Sequence, residues 1–288
     1  MTGTGDALTI ANRAWMDRDD GKLDRPSGRG NRERSAAKWR QAVLIFDTES
    51  TTDPTQRLTF GCYRFAEWNL DGTLAVREEG LFYEDALPAN DADGYAALCH
   101  VATCQRPDVT GFHRNRSLML RSRRDFLDNV LWPAIQQDAL IVGFNLPFDV
   151  SRLACDVTPA RGTHQGGFSF VLWEYTNPQT GDRRENQFRP RVRITQIDSK
   201  RSRIDVTQPK GRPNGRNGKP VIHRPGFLDL RTLAFALTDR GHSLRSACDA
   251  FNVEQGKGAT DEHGTITSDY IAYAHQDVKA TGSLLEAL

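Results

Sequence analysis

The stretch Ala42-Val43-Leu44-Ile45-Phe46-Asp47-Thr48-Glu49-Ser50 decides the fold. Its continuous apolar start reads as a buried β-strand. The acids at its end are costly to bury unless something neutralises them. The strand period of two puts Asp47 and Glu49 on one face. Two carboxylates side by side repel unless a cation sits between them. Hard carboxylate oxygens suit Mg²⁺ or Mn²⁺. The plainer alternative for this pair alone is two strand-end acids facing solvent.

Outward from this strand, Leu58 to Trp68 and Thr73 to Tyr83 read as two more strands. Leu70-Asp71-Gly72 lies between them as the hairpin turn, which predicts an antiparallel meander. A helix is expected over Tyr95 to Cys104. A second begins after Ser122, a good N-cap, with Pro133 expected to kink it. Ala139 to Gly143 reads as a strand, and Pro147 opens the helix that follows. Phe168 to Tyr175, Phe188 to Ile197 and Ser202 to Val206 have β-like patterning. Gln208 to Pro220 is rich in Gly, Pro and Asn and reads as a loop tip. Residues 167–225 are therefore expected to be an insertion: a basic β-hairpin with a flexible end. Gly226 to Leu230 returns as a strand, Thr232 to Leu237 as a helix. Ser243 caps a helix through Phe251, and the last helix starts near Thr267 or Ser268. The order predicts an α/β fold: a mixed sheet, three strands antiparallel and others parallel, with helices on both faces.

Residues 1–38, with a short helix at Ala7 to Met16 and a polar, basic, Gly/Pro-punctuated stretch, read as a flexible extension to a domain at 39–288. The 38% apolar and 26% charged composition is ordinary for a soluble protein. No long apolar run predicts a membrane span, and the N-terminus has no signal-peptide core, so a cytoplasmic protein is expected. Five cysteines without a CxxC pair read as reduced, packing thiols. Net charge is only +1, but Arg183 to Arg224 holds thirteen Lys/Arg against three acids. That excess suits a phosphate backbone, or else a solvated loop.

Two further acids sit in ordered contexts. Asp149, in Asn145-Leu146-Pro147-Phe148-Asp149, falls in the first turn of a helix after a strand, where the dipole favours an anion. Asn145 either caps that helix or touches substrate. Phe148 is core or a base-stacking platform. Tyr273 and Asp277 are i and i+4 on the final helix and share a face. That face borders the stripe Ile271, Ala274, Val278, Thr281 and Leu285, so Asp277 is expected to point toward the sheet. His275 reads as a surface residue.

The set DxE, NxxFD and YxxxD, in this order and on these elements, resembles the DEDD superfamily of 3′-to-5′ exonucleases, which have an RNase H-like fold. Tyr273 places it with the tyrosine branch. The likeness is greatest to proofreading domains of family-B, protein-primed DNA polymerases, over residues 42–288. The resemblance implies two divalent cations, Mg²⁺ or Mn²⁺. Asp47 bridges them, Glu49 and Asp277 complete one site, and Asp149 holds the other. Tyr273 orients the attacking water. Thr48, Ser50, Asn145 and Phe148 are expected to contact the terminal nucleotide, and Arg201, Arg203, Lys210 and Arg212 its backbone. Polymerase palm, fingers and thumb are lacking, so the chain is expected to be a stand-alone enzyme or part of a longer protein. The expected partner is nucleic acid, DNA before RNA, with a polymerase or other protein as a further one. The alternatives are an exoribonuclease and a non-catalytic nucleic-acid- or protein-binding module.

Overall fold

The apolar run at Ala42 forms a strand that continues through its acids to Ser50. The computed structural model describes residues 40–110, 117–198, 201–215, 218–254 and 264–288. The expected N-terminal helix and basic stretch lie outside the described residues, as do Lys200 and Arg216. In chain order, β1 (Ala42–Ser50), β2 (Leu58–Trp68) and β3 (Leu74–Tyr83) come first, followed by α1 (Leu87–Asn90), α2 (Ala92–Cys104), β4 (Met119–Ser122), α3 (Arg123–Phe126), α4 (Trp132–Gln136), β5 (Leu140–Gly143) and α5 (Leu146–Leu153). The insertion contributes β6 (Asp156–Pro159), β7 (Phe168–Val171), β8 (Glu174–Thr176), β9 (Arg183–Glu185), β10 (Val192–Asp198) and β11 (Arg201–Val206). Then come β12 (Gly226–Asp229), α6 (Leu230–Thr238), α7 (Leu244–Ala250) and α8 (Ser268–Ala287).

The main sheet has the order β12-β5-β1-β2-β3-β4. β1, β2 and β3 are the expected antiparallel meander. β5 runs parallel to β1 and β12 parallel to β5, while β4 runs parallel to β3. The fold is thus α/β with a mixed sheet flanked by helices.

Strand alternation divides the core in two. Val43 and Ile45 pack in one cluster with side chains of α2, α6, α7 and α8. Leu44 and Phe46 pack in the other, against α3, α4 and α5. There Phe82 and Phe126 stack at 4.2 Å between centroids. Each such fully buried side chain stabilises the fold by roughly 1.5–3 kcal/mol. α8 approaches β1 closely at Gly282, where an added Cβ would stand 3.3 Å from Ile45 Cδ1.

Two sequence expectations need correcting. The helix after Ser122 is not simply kinked by Pro133. Residues Leu127–Leu131 widen into a π-helical turn ahead of the proline, which cannot donate the usual i→i−4 bond. The insertion is also larger than a hairpin. It starts at Asp156, and β11-β10-β7-β6 form a four-stranded antiparallel sheet with β8-β9 as a separate ribbon. Val192, Ile194, Ile204 and Val206 join the cluster of Leu44 and Phe46, so the insertion shares the main core.

The basic excess of this segment is partly compensated. Arg183, Arg184, Arg189, Arg191, Arg193 and Arg201 pair with Glu174, Asp182, Asp128, Glu185, Asp205 and Asp198 respectively. Half of these acids lie outside Arg183 to Arg224, which is why a local charge count overstated the field. None of the five cysteines is in a disulfide, and Cys62 and Cys248 are buried. Among the described residues no helix is long and apolar enough to cross a membrane.

Candidate active site

β1, β5 and β12 are mutually parallel, so their carboxyl ends reach one edge of the sheet. In open α/β sheets that edge is where ligands bind. β1 ends in Asp47 and Glu49, β5 leads into Asn145 and Asp149, and β12 ends in Asp229. α8 lies across β1 and adds Tyr273 and Asp277. The result is one cleft of about 610 Å³ lined by Asp47, Glu49, Asp149, Tyr273 and Asp277, with Thr48, Asn145 and Phe148 beside them. The four acids singled out in the sequence, and the tyrosine, are therefore brought together.

Asp149 is 2% exposed. Its Oδ1 accepts from the Thr48 backbone N–H at 3.1 Å and from the Thr48 hydroxyl at 2.8 Å. Thr48, which also lines the cleft, thereby bridges β1 to α5. Asp149 Oδ2 is buried with no hydrogen-bond partner among the described residues. Burial pushes this carboxyl up to about 7; the Thr48 hydrogen bonds oppose the rise, while Asp229 and Glu49 add to it.

Asn145 occupies the N-cap position of α5 with φ 112°, but its side chain makes no cap bond. Asparagine is among the few residues that tolerate this left-handed region. Its backbone N–H donates to Asp229 Oδ1 at 2.9 Å; Asp229 also caps α6 by accepting from the Arg231 backbone N–H, and takes a hydrogen bond from the Thr232 hydroxyl. Phe148 lies half-buried on the cleft wall, with the Arg152 guanidinium 4.7 Å from its ring centroid.

Glu49 is held from α8. The buried Tyr270 hydroxyl donates to Glu49 Oε2 at 2.5 Å. Its ring packs edge-on against Phe60 and stacks on Tyr273. Burial, then the Glu49 charge, raises the Tyr270 hydroxyl well above the ordinary tyrosine range, so it stays a donor. Beneath the acids, Cys62 pairs across the sheet with Asp47. Its thiol is pushed upward by burial and then by the charges of Asp47, Glu49, Glu79 and Asp277. That shared influence marks the acids as one concentrated negative field.

His275 is not a surface residue. It is 5% exposed, and its Nε2 lies 2.8 Å from Glu79 Oε1. The same oxygen accepts from Arg64 Nε at 2.6 Å. Glu79 Oε2 accepts from the Asp108 backbone N–H at 2.7 Å. Burial alone would raise the Glu79 carboxyl, but His275 and Arg64 outweigh it and hold it at about 2. This buried ion cluster pins α8 to β2 and β3, two residues before Asp277.

The other candidates are placed elsewhere. Ser50 lies past a register shift in the β1–β2 pairing and does not line the cleft. Nor do Arg201, Arg203, Lys210 and Arg212. Arg201 pairs with Asp198, Arg203 lies on β11 opposite Thr195, and Arg212 donates to Gln208. Lys210 lines a separate cavity in the insertion. Conversely, the cleft includes residues that pattern reading passed over: Arg231 on α6, and Gly241, His242 and Ser243 in the α6–α7 connection. Asp229 carries the same signal as Asp47, an apolar strand running into an acid.

Among the described residues no group of three or more His, Cys, Asp or Glu side chains stands in metal-holding geometry. The donors nevertheless suit a hard divalent cation. They are all carboxylates, and Asp149 presents a buried oxygen with no protein donor. No protein-family model matches this chain, and no curated protein matches it either.

Proposed function

We propose that the chain is a metal-dependent 3′-to-5′ exonuclease of the DEDD superfamily, tyrosine branch, with an RNase H-like fold, acting on single-stranded DNA ends. One observation carries this reading: Asp47, Glu49, Asp149, Tyr273 and Asp277, spread over most of the chain, line a single cleft. The order β3-β2-β1-β5-β12, with the first three strands antiparallel and the rest parallel, suits the same reading.

In this assignment Asp47, Glu49, Asp149 and Asp277 would hold the divalent cations. A bound pair supplies an acidified water and charge stabilisation on the leaving 3′ oxygen. The protein supplies placement. Thr48 fixes the angle of Asp149, and Tyr270 that of Glu49. Tyr273 orients the attacking water. Arg231 brings a guanidinium, suited to the scissile phosphate, to the rim of an otherwise acidic cleft. Phe148, stiffened by Arg152, offers a face to the terminal base.

The test is incubation with 5′-labelled DNA and RNA oligomers under Mg²⁺, Mn²⁺ or chelator. A metal-dependent ladder shortening from the 3′ end is expected with DNA, and Asp47→Ala should abolish it without unfolding the protein. A ladder on RNA alone would change the substrate. No cleavage of either polymer in any metal would overturn the assignment.

A further inference from the structure

Beside the acid cleft lies a larger cavity of about 900 Å³. Both cavities fall within the range of ligand pockets, about 300–1,000 Å³. The same segments wall both. β1 gives Asp47 and Glu49 to one, and Thr51, just past its end, lines the other; α5 gives Phe148 and Asp149 to one and Ser151 and Arg152 to the other. The partition between them is the Phe148 ring with the Arg152 guanidinium over it.

The lining of the larger cavity has a definite electrostatic character. Arg57 and Arg124 are exposed there, and neither side chain makes an ion pair or hydrogen bond among the described residues. Arg152 donates to the Gln56 carbonyl and the Ser151 hydroxyl, not to a carboxylate. The lining holds five arginines against four acids, and two of those acids are in ion pairs. Asp85 pairs with Arg123 and Glu174 with Arg183, while Glu84 and Asp91 accept backbone N–H groups. Three guanidiniums thus face a solvent-filled cavity next to an acid cleft, and guanidiniums match phosphate oxygens in fork geometry.

We infer that this cavity seats the nucleotides immediately 5′ of the terminal one, with Arg57, Arg124 and Arg152 on their phosphates and Phe148–Arg152 as the sill between them. The inference deepens the exonuclease reading and rests on it for the position of the strand end. It relocates backbone binding from the insertion, whose arginines are mostly paired with acids, to the β1–β2 and α5 side of the sheet.

The experiment compares the full chain with the double variant Arg57→Ala/Arg124→Ala. Arg77→Ala, exposed toward the opposite end of β3, serves as the charge control. Binding of a labelled oligothymidylate is measured in chelator across a salt series. Each single-strand phosphate contact contributes about 0.7 to the slope of log K against log salt. The double variant should therefore weaken binding and flatten that slope by about 1.4, with Arg77→Ala unchanged. With Mg²⁺, KM for the oligomer should rise at constant kcat, while hydrolysis of a thymidine dinucleotide stays at the wild-type rate. An unaltered slope and KM in a protein that cleaves both substrates would overturn the cavity and leave the exonuclease standing. If the wild type cleaves neither substrate in any metal, the exonuclease reading falls. The salt slope needs no turnover: flattening would still support strand binding in the cavity, and an unaltered slope would overturn it.

Discussion

Replacing Asp149 by Asn should stabilise the metal-free protein. The carboxyl is 2% exposed and is raised from an ordinary 3.8 to about 7, chiefly by burial. Because the folded-state value lies above the unfolded one, ionisation favours unfolding. The penalty is absent below about pH 3.8, grows as pH rises, and is complete above about pH 7. A difference of about three in pKa corresponds to a ceiling of about 4 kcal/mol. Asn keeps the shape and an oxygen for both Thr48 donors, so it removes the charge without losing those bonds. At about 2 °C per kcal/mol for a chain of this size, Asp149→Asn should raise Tm by up to about 8 °C near pH 8 in chelator. Near pH 4 the gain should vanish. Thermal melts at the two pH values, with and without Mg²⁺, measure this, and added cation should narrow the gap by stabilising the wild type more than the variant. A variant that is less stable near pH 8, or equally stabilised at both pH values, would refute the desolvated-carboxylate argument.

Three other perturbations have defined outcomes. Tyr270→Phe removes the hydroxyl that fixes Glu49 and should raise the Mg²⁺ concentration for half-maximal activity about tenfold, read by metal titration. Gly61→Ala would place a Cβ 2.3 Å from Phe82 Cζ and 2.5 Å from the Asp47 carbonyl, costing about 1–3 kcal/mol in urea denaturation. Glu79→Gln leaves Arg64 with only its ion pair to the largely exposed Asp108 and should destabilise by up to about 3–5 kcal/mol near neutral pH. In the wild type the Glu79 contribution is present above about pH 4.5 and lost as pH falls toward about 2, so the deficit should shrink in acid melts.

The strands and acids of the site were legible because each has a local signature. β1, β2 and β3 are long apolar or alternating runs, and Asp47, Asp149 and Asp277 each sit where a strand or helix grammar fixes a face. β6 and β9 were missed because Asp156–Pro159 and Arg183–Glu185 carry no buried residue and thus no alternation to see. His275 was misplaced because periodicity grades a histidine as polar, while Glu79 and Arg64, far away in sequence, make its burial tolerable. Tyr270 was not singled out, since nothing local says that its hydroxyl reaches Glu49. The charge of the insertion was only partly legible for a similar reason: it was counted along the chain, but Asp128 and Glu174 offset part of it in space.

The central claim is that Asp47, Glu49, Asp149 and Asp277 jointly hold divalent cations. Anomalous diffraction from crystals soaked in Mn²⁺ tests it most directly. Two peaks are expected within this cleft, both in contact with Asp47, one with Glu49 and Asp277 and the other with Asp149. An empty cleft at saturating Mn²⁺, or peaks bound only elsewhere, would contradict it.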